Sequence, residues 1–338
     1  MLCRPASAGQ GPSDPVGRGV RLYRGTEYAP ILCAEVMGMW SRILFAVDDD
    51  EALAYAVPVV AACARKWEAE VRVLHVHRVD PDVASDRGRR LVKSVVDRLR
   101  SEDVIADGEI RLVDRGESVG HAISDIAARE GADLLAVGSH GRSDLAALFL
   151  GSVSDDAASG LDAPVLVLRA ASTAPEEPVT VLVGVDGSPA SDEALSEAGD
   201  VAAAFGAAVV VVHVNQVVTV DGVALVEPEV DALAELRRAV ATLTCRGLRV
   251  TAEMPVDRSA ANGIVTAAER HHADLVVLGS RRPSHVGGLL LGGVAHEAIH
   301  RLRCPVLLAH RVRSAEGSDE RDGVHDAARA VVEVTNRS

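Results

Sequence analysis

Arg42-Ile-Leu-Phe-Ala-Val-Asp48 returns 138 residues later as Thr180-Val-Leu-Val-Gly-Val-Asp186, and this repeat decides the fold. The next apolar segment, Val73-Leu-His-Val-His77, returns at the same offset as Val211-Val-His-Val-Asn215. Two later segments return in the same order at an offset of 141, namely Ala132–Ser139 as Ala273–Ser280 and Pro164–Leu168 as Pro305–Ala309. Four matching segments in one order indicate a duplicated unit of about 140 residues.

Each copy is predicted to alternate five short strands with helices. The strands are continuous apolar runs, which is typical of parallel strands covered by helices on both faces. Pro58 interrupts the first helical segment and is expected to kink it. The pattern predicts an α/β fold: two tandem doubly wound parallel five-stranded sheets, Rossmann-like, each of strand order 3-2-1-4-5. In the first copy we expect strands near 42–48, 70–77, 109–114, 132–138 and 164–169, and helices around 51–67, 86–102, 117–130 and 152–161.

The length of 338 residues suits two domains with tails. Domain 1 is expected over residues 40–170 and domain 2 over residues 179–311, with a short Pro-containing linker between them. Residues 1–39 are rich in Gly, Pro, Ser and Arg, and are predicted to be a disordered arm or a misassigned start. Residues 312–338 are predicted to be a flexible tail.

Composition and charge exclude several classes of partner. The net charge of −14 argues against nucleic acid, whose recognition needs a basic face. No apolar stretch approaches the roughly 18 residues that a membrane span needs. The five cysteines form no C-x-x-C pair, as expected of reduced thiols. We therefore expect a cytoplasmic protein that binds neither nucleic acid nor membrane.

A glycine-rich loop after the fourth strand of the first copy carries the main functional signal. Gly138-Ser-His-Gly141 is followed by nine residues and then by Gly151-Ser152, which opens a helix. A glycine at a strand end lets the backbone approach a ligand, and the free N–H groups at a helix N-terminus favour an anion. The Ser152 and Ser154 hydroxyls and the Arg142 guanidinium would add contacts. The pattern predicts a phosphate cradle that lacks the lysine of the Walker type.

The predicted topology adds a second half to this site. In doubly wound sheets, ligands bind beyond the carboxyl ends of the strands, where the strand order reverses. For the order 3-2-1-4-5 this point lies between the first strand, which ends at Asp48, and the fourth, which ends at Gly138. The Asp48 carboxylate would accept a hydrogen bond from an adenine amino group or a ribose hydroxyl.

The pattern Gly-x2-Gly-x9-Gly-Ser, after a β-α-β-α unit whose first strand ends in Asp, resembles the ATP-binding branch of the universal stress protein family. The resemblance covers about residues 40–170 and again 179–311, and it implies an ATP-binding regulator of stress responses. It also implies that Asp48 and the backbone of Val76 hold the adenosine. The ribose and phosphates would be held by Gly138, Gly141, Arg142, Gly151, Ser152, Val153 and Ser154, and the corresponding residues of the second copy are Asp186, Val214, Gly279 and Gly292.

Both copies depart from the family pattern. The first has Asp48-Asp49-Asp50 where members usually show Asp-Gly-Ser. We interpret Asp50 as a helix N-cap, with a contact to Mg²⁺ as the alternative. The second copy keeps Asp186-Gly-Ser188 but has Arg282 at the second loop glycine and Gly292-Gly293 in place of Gly-Ser. We therefore expect ATP mainly in domain 1, and reduced or absent binding in domain 2.

Two histidines and the final strands lead to further expectations. His75 and His213 lie in apolar runs, and are expected to be core or near-site groups that bond to the backbone rather than metal ligands. The final strands, 164–169 and 305–310, are exposed edges of the kind through which sheets pair. We expect the two domains to pair with each other through these strands as a pseudo-dimer, and a second chain is a further candidate partner in a homodimer.

Three functions remain open from the sequence. The first is a regulator in which bound ATP sets conformation or partner contacts. The second is a structural or interaction pseudo-dimer whose two sites have decayed. The third is a slow ATPase or adenylyl-transfer enzyme, although no nucleophile–base pair stands at an interpretable spacing, so that an enzyme is not expected.

Overall fold

The structure is a computed structural model, in which certain parts of the chain are described. These are residues 23–24, 39–48, 52–78, 84–114, 117–140, 143–144, 163–169, 175–220, 223–226, 229–280 and 293–309. The predicted helix at 152–161 and the predicted tail at 312–338 lie outside them. Within the described residues, no helix is both long enough and apolar enough to cross a lipid bilayer.

The described residues of the first half contain seven strands and three helices. The strands are β1 (Tyr23–Arg24), β2 (Arg42–Ala46), β3 (Glu70–Arg78), β4 (Ala106–Val113), β5 (Leu134–His140), β6 (Ser143–Asp144) and β7 (Val165–Arg169); the helices are α1 (Ala52–Trp67), α2 (Ala84–Arg100) and α3 (Val119–Glu130). Strands β2, β3, β4, β5 and β7 are parallel and lie in the order β4-β3-β2-β5-β7. The predicted order 3-2-1-4-5 is therefore confirmed. Helix α1 runs through Pro58 as one helix.

The second half repeats this plan and adds a hairpin. Its strands are β8 (Thr180–Gly184), β9 (Ala208–Val212), β10 (Asn215–Val220), β11 (Val223–Val226), β12 (Val250–Glu253), β13 (Val256–Asp257), β14 (Leu275–Gly279) and β15 (Val306–Ala309); its helices are α4 (Pro189–Phe205), α5 (Glu229–Cys245), α6 (Ala260–Arg270) and α7 (Gly293–Arg301). The main strands lie in the order β12-β9-β8-β14-β15, which again is 3-2-1-4-5. Both doubly wound sheets are confirmed.

Each sheet is buried on both faces, which explains the continuous apolar runs in the sequence. In β2, Ile43 and Phe45 pack into the core layer that contains α1 and α2. Leu44 and Ala46 pack into the opposite layer with α3. Because successive side chains of a strand point to opposite faces, a strand covered on both sides needs apolar residues at every position.

The two sheets are continuous through their fifth strands. Strand β7 pairs antiparallel with β15, with Leu166 opposite Leu307. Aromatic residues make up only 2% of the chain, yet both tryptophans lie at this boundary. The ring of Trp67 meets Trp40 at a centroid distance of 4.5 Å and Phe205, from the other half, at 5.3 Å. These edge-to-face contacts add to the area buried between the halves.

Two features have no counterpart in the sequence-based prediction. Strand β1 lies within residues 1–39 and pairs antiparallel with β12, with Tyr23 opposite Ala252. Strands β10 and β11 form an antiparallel hairpin, which pairs with β13 to make a separate three-stranded sheet. The hairpin follows β9 and stands beside the carboxyl end of the domain 2 sheet.

The cysteines of the described residues are free thiols. Cys63 and Cys304 are buried, and burial raises the pKa of each to about 12. Cys245 is exposed. A buried thiol with a raised pKa is seldom ionised and is chemically inert.

The position of Trp67 at the boundary between the halves predicts that Trp67→Ala strongly destabilises the protein. Removing this ring, which is 6% exposed, leaves a cavity between Trp40 and Phe205. We expect the free energy of unfolding to fall by about 3–5 kcal/mol. Urea unfolding followed by circular dichroism measures this loss, and Trp67→Phe, which keeps a ring at the boundary, should lose clearly less. A loss below about 1 kcal/mol in Trp67→Ala would contradict the burial of Trp67 between Trp40 and Phe205.

Candidate functional site

The strand register brings the two predicted halves of the domain 1 site to one edge. Ala46 of β2 lies opposite Val137 of the parallel strand β5. Asp48 therefore lies two residues beyond Ala46 along the chain, and Gly138 lies one residue beyond Val137. Asp48 lies two residues past the end of β2, and Gly138 lies two residues before the end of β5, which runs further than predicted. Both are near the carboxyl ends of their strands, at the point where the strand order reverses and ligands bind in this class of sheet.

A buried histidine fixes the backbone that leads to Asp48. The Nδ1 atom of His75, on β3, lies 2.8 Å from the carbonyl oxygen of Val47, and the N–H of Val47 donates to the carbonyl of Leu74. The expectation that His75 bonds to the backbone near the site is confirmed. Val76, the next residue, packs against the opposite core layer. Strand β3 thus holds both Val76 and the segment that carries Asp48.

The first helix of each copy takes the space beside the strand-end glycine. A Cβ at Gly138 would lie 2.7 Å from the hydroxyl oxygen of Tyr55 on α1. A Cβ at Gly279 would lie 2.5 Å from the carbonyl carbon and oxygen of Ala190 on α4. Close helix packing is thus a second reason for glycine at both positions, beside the predicted approach of a ligand.

The predicted phosphate loop lies outside the described residues. This holds in domain 1 for Gly141, Arg142, Gly151, Ser152, Val153 and Ser154, and for the neighbouring Asp49 and Asp50. In domain 2 it holds for Arg282 and Gly292. The described part of each site consists of the strand ends, the first helix and, in domain 2, the start of α7.

In domain 2 the described site residues line one cavity of about 640 Å³. Asp186, Val214 and Gly279 all contribute to its wall, as the duplicated topology predicts. The volume falls within the range of about 300–1,000 Å³ that is usual for small-molecule sites. The polar side chains of the described wall belong to Asp186, Ser188, Ser191, His213, Gln216, Arg258, Ser259 and Glu297.

The Asp-Gly-Ser turn builds one wall of this cavity. The Oδ1 atom of Asp186 accepts a hydrogen bond of 3.0 Å from the N–H of Ser188, and Gly187 adopts a left-handed φ of 77°. The Oγ atom of Ser188 in turn accepts from the N–H of Ser191 at 3.2 Å and so caps α4. The glycine has the positive φ that the turn requires, and the serine satisfies a free donor at the helix N-terminus.

A polar network that the sequence analysis missed builds the opposite wall. The Oγ atom of Ser259 caps α6 and lies 3.2 Å from Oε2 of Glu297 on α7. Arg301 bonds to Glu297 at 3.0 Å and to Oδ1 of Asn262 at 2.6 Å. The backbone N–H of Ser259 also donates to Asp257, which holds the pKa of that carboxyl below its usual range. Asp257 and Ser259 stand just before a segment whose apolar residues have helical spacing. This is an N-cap pattern that could have revealed part of this network.

The described residues contain no group of three or more His, Cys, Asp or Glu side chains placed to hold a metal ion. The sequence-based alternative of Mg²⁺ concerns Asp49 and Asp50, which lie outside those residues. It therefore stays a prediction.

Comparison with known proteins identifies the family. The model of the universal stress protein family matches residues 39–169 and again 179–310. The chain belongs to the universal stress protein family. It is 29% identical over 276 residues to a universal stress protein of Mycobacterium tuberculosis, covering 74% of this chain and 92% of that protein.

A solved structure with a TM-score above 0.5 agrees with the fold. The crystal structure of a universal stress protein from Archaeoglobus fulgidus is 20% identical and has a TM-score of 0.62, covering 81% of this chain and 97% of that chain. The structure of a universal stress protein from Archaeoglobus fulgidus in complex with dAMP is 21% identical and has a TM-score of 0.30, covering 38% of this chain and 98% of that chain.

The surroundings of Gly138 and Gly279 predict different losses of stability when alanine replaces each glycine. Gly279→Ala meets the backbone of Ala190, which cannot turn away, so we expect a loss of about 1–3 kcal/mol in the free energy of unfolding. Gly138→Ala meets only the tip of the Tyr55 side chain, which a rotation can move, so its loss should be smaller. Urea unfolding of both variants compares them, and a larger loss in Gly138→Ala would contradict this packing.

Proposed function

We propose that this universal stress protein is an ATP-binding regulatory protein of the cytoplasm that holds the nucleotide mainly in domain 1. The observation that carries the proposal is the pairing of Ala46 with Val137, which brings Asp48 and Gly138 to the same edge of the sheet. The loop Gly138-x2-Gly141-x9-Gly151-Ser152 starts at that edge. A carboxylate for the adenosine and backbone N–H groups for the phosphates would then meet at one point.

Domain 2 supports the position of the site within the duplicated fold. Asp186, Val214 and Gly279 occupy the places of Asp48, Val76 and Gly138, and they line a single cavity. Because both sheets have the same strand order, the corresponding region of domain 1 lies beyond the ends of β2, β3 and β5. An adenosine held there would contact Asp48 and the backbone of Val76.

Regulation would follow from the loop between β5 and β7. ATP can shift the protein toward a conformation only by binding that conformation more tightly than the alternative. A loop that wraps the phosphates makes such contacts in one arrangement and loses them in another. Strand β7 follows this loop and pairs with β15, so a change in the loop would act beside the boundary with domain 2.

One observation favours a second candidate, an interaction module without nucleotide. Close packing against Tyr55 and Ala190 already accounts for Gly138 and Gly279, without any ligand. The continuous sheet and the aromatic contacts at the boundary would suit a chain whose role is to present surfaces to a partner. Nucleotide binding by the intact protein separates the two candidates.

The proposal predicts that the intact chain binds about one ATP in domain 1 and loses it in two variants. Gly141→Glu places a carboxylate in the phosphate loop, and Asp48→Lys removes the acceptor for the adenosine. Isothermal titration calorimetry with ATP measures both losses. Asp125→Lys, which makes the same change of charge on the exposed face of α3, is the matched control and should bind ATP like the wild type.

Two results would contradict the proposal. One is an intact protein that shows no ATP binding, which would favour the interaction module. The other is an equal loss of affinity in Asp125→Lys, which would make the effect one of overall charge.

A further inference from the structure

We propose that the outer edge of β4 is a homodimer interface, at which β4 of a second chain pairs antiparallel with it about a two-fold axis. The final strands of the two domains are already used, because β7 and β15 pair with each other inside one chain. At one end of the continuous sheet, β1 covers the edge of β12. At the other end β4 is the last strand, and no described strand pairs with its outer side.

Strand β4 directs a row of backbone groups away from the sheet. The carbonyl oxygen of Ile105 accepts a hydrogen bond of 2.9 Å from the N–H of Val71 on β3. Because a strand alternates the direction of its backbone groups from residue to residue, the odd-numbered residues face β3 and the even-numbered residues face outward. The Nε atom of Arg100 donates to the outward carbonyl of Ala106 at 2.9 Å and so closes the start of the row. The next outward positions are Gly108, Ile110 and Leu112.

This edge has the features of a template for another strand. Natural edge strands are usually protected by shortness, by proline or by a β-bulge. Strand β4 has eight residues, contains no proline, and pairs with β3 residue by residue from Ala106 to Val113. Leu112 is 52% exposed, and Ile105, just before the strand, is 70% exposed. Apolar side chains and unused backbone groups therefore lie together along the edge.

The charges of β4 select one register with a second copy. A two-fold axis normal to the sheet leaves each face on its own side, so that odd-numbered residues stand opposite odd-numbered ones. With Ile110 on the axis, Glu109 of each chain stands opposite Arg111 of the other. With Glu109 or Arg111 on the axis, two like charges would face each other. Opposite charges across antiparallel strands stabilise the pair and like charges destabilise it, which favours the register centred on Ile110.

The same register joins the outward backbone groups. Gly108 then stands opposite Leu112 on both sides of the axis, and Ile110 stands opposite its own copy. Because all of these residues face outward, each pair can exchange two N–H···O bonds. A Cβ at Gly108 would lie 2.3 Å from Cγ1 of Val92, so the glycine lies on the face covered by α2. The exposed Leu112 side chain of the second chain would lie over this glycine, beside α2.

Glu109 and Arg111 can exchange their present ion pairs for the cross-strand ones. Glu109 lies 3.7 Å from Arg129, and Arg111 lies 3.4 Å from Glu117. Pairs of this kind, long and partly exposed, contribute little to stability. The net charge of −14 repels a second chain at long range, but at about 0.15 M salt charges are screened beyond about 8 Å. Side chains directly opposite on antiparallel strands are closer, at about 4.5–5.5 Å between Cβ atoms.

The test is sedimentation equilibrium of the full chain over a range of concentrations in about 0.15 M salt. The wild type should show a monomer–dimer equilibrium. Arg111→Glu and Glu109→Arg each place like charges opposite each other, and each should raise the dissociation constant of the dimer by about tenfold. The double variant restores opposite charges and should recover the dimer. Arg237→Glu makes the same charge change on the exposed face of α5, and is the matched control that should dimerise like the wild type.

Leu112→Pro tests the backbone pairing itself. It removes an outward N–H that β3 does not use, so circular dichroism should show a folded chain while the dimer is lost. Four results would overturn the inference. These are a wild type that is monomeric at every concentration, a dimer unchanged in folded Leu112→Pro, a double variant that does not recover the dimer, and an equal loss in Arg237→Glu.

Discussion

The parallel register of the first and fourth strands is the constraint on which the rest of the site depends. Hydrogen bonds between β2 and β5 hold Ala46 opposite Val137, and those between β8 and β14 hold Val183 opposite Val277. In each domain, the register places an aspartate and a glycine at the same edge of the sheet. A slip of one residue would exchange the side chains of the two buried faces, such as Phe45 and Leu44, so the close packing of each layer protects the register.

The two domains share this strand register but differ in the side chains that surround the sheet edge. In domain 2, Asp186 and Ser188 form a turn that caps α4, and Ser259 and Glu297 tie α6 to α7. In domain 1, Asp49 and Asp50 replace the Gly-Ser of that turn, and Tyr55 reaches over Gly138. Duplication followed by separate change accounts for the different side chains at the two corresponding sheet edges.

The periodic features could be predicted from the sequence because burial repeats along the chain. Both strand orders follow from the runs that begin at Arg42 and Thr180 and from the helical spacing between them. The β10–β11 hairpin was missed although Val217–Val226 contains β-branched residues around an Asp-Gly pair, which is a hairpin signal. The contact between Ser259 and Glu297 joins residues 38 positions apart, and no local pattern encodes it. The packing reason for Gly279 likewise depends on where Ala190 lies in three dimensions.

A crystal structure of the full chain grown with ATP tests the central claim most directly. We expect electron density for adenosine beyond the carboxyl ends of β2, β3 and β5, with the base or ribose beside Asp48 and Val76. The phosphates should follow the loop that starts at Gly138. Domain 1 without nucleotide density at saturating ATP, or ATP bound elsewhere on the chain, would contradict it.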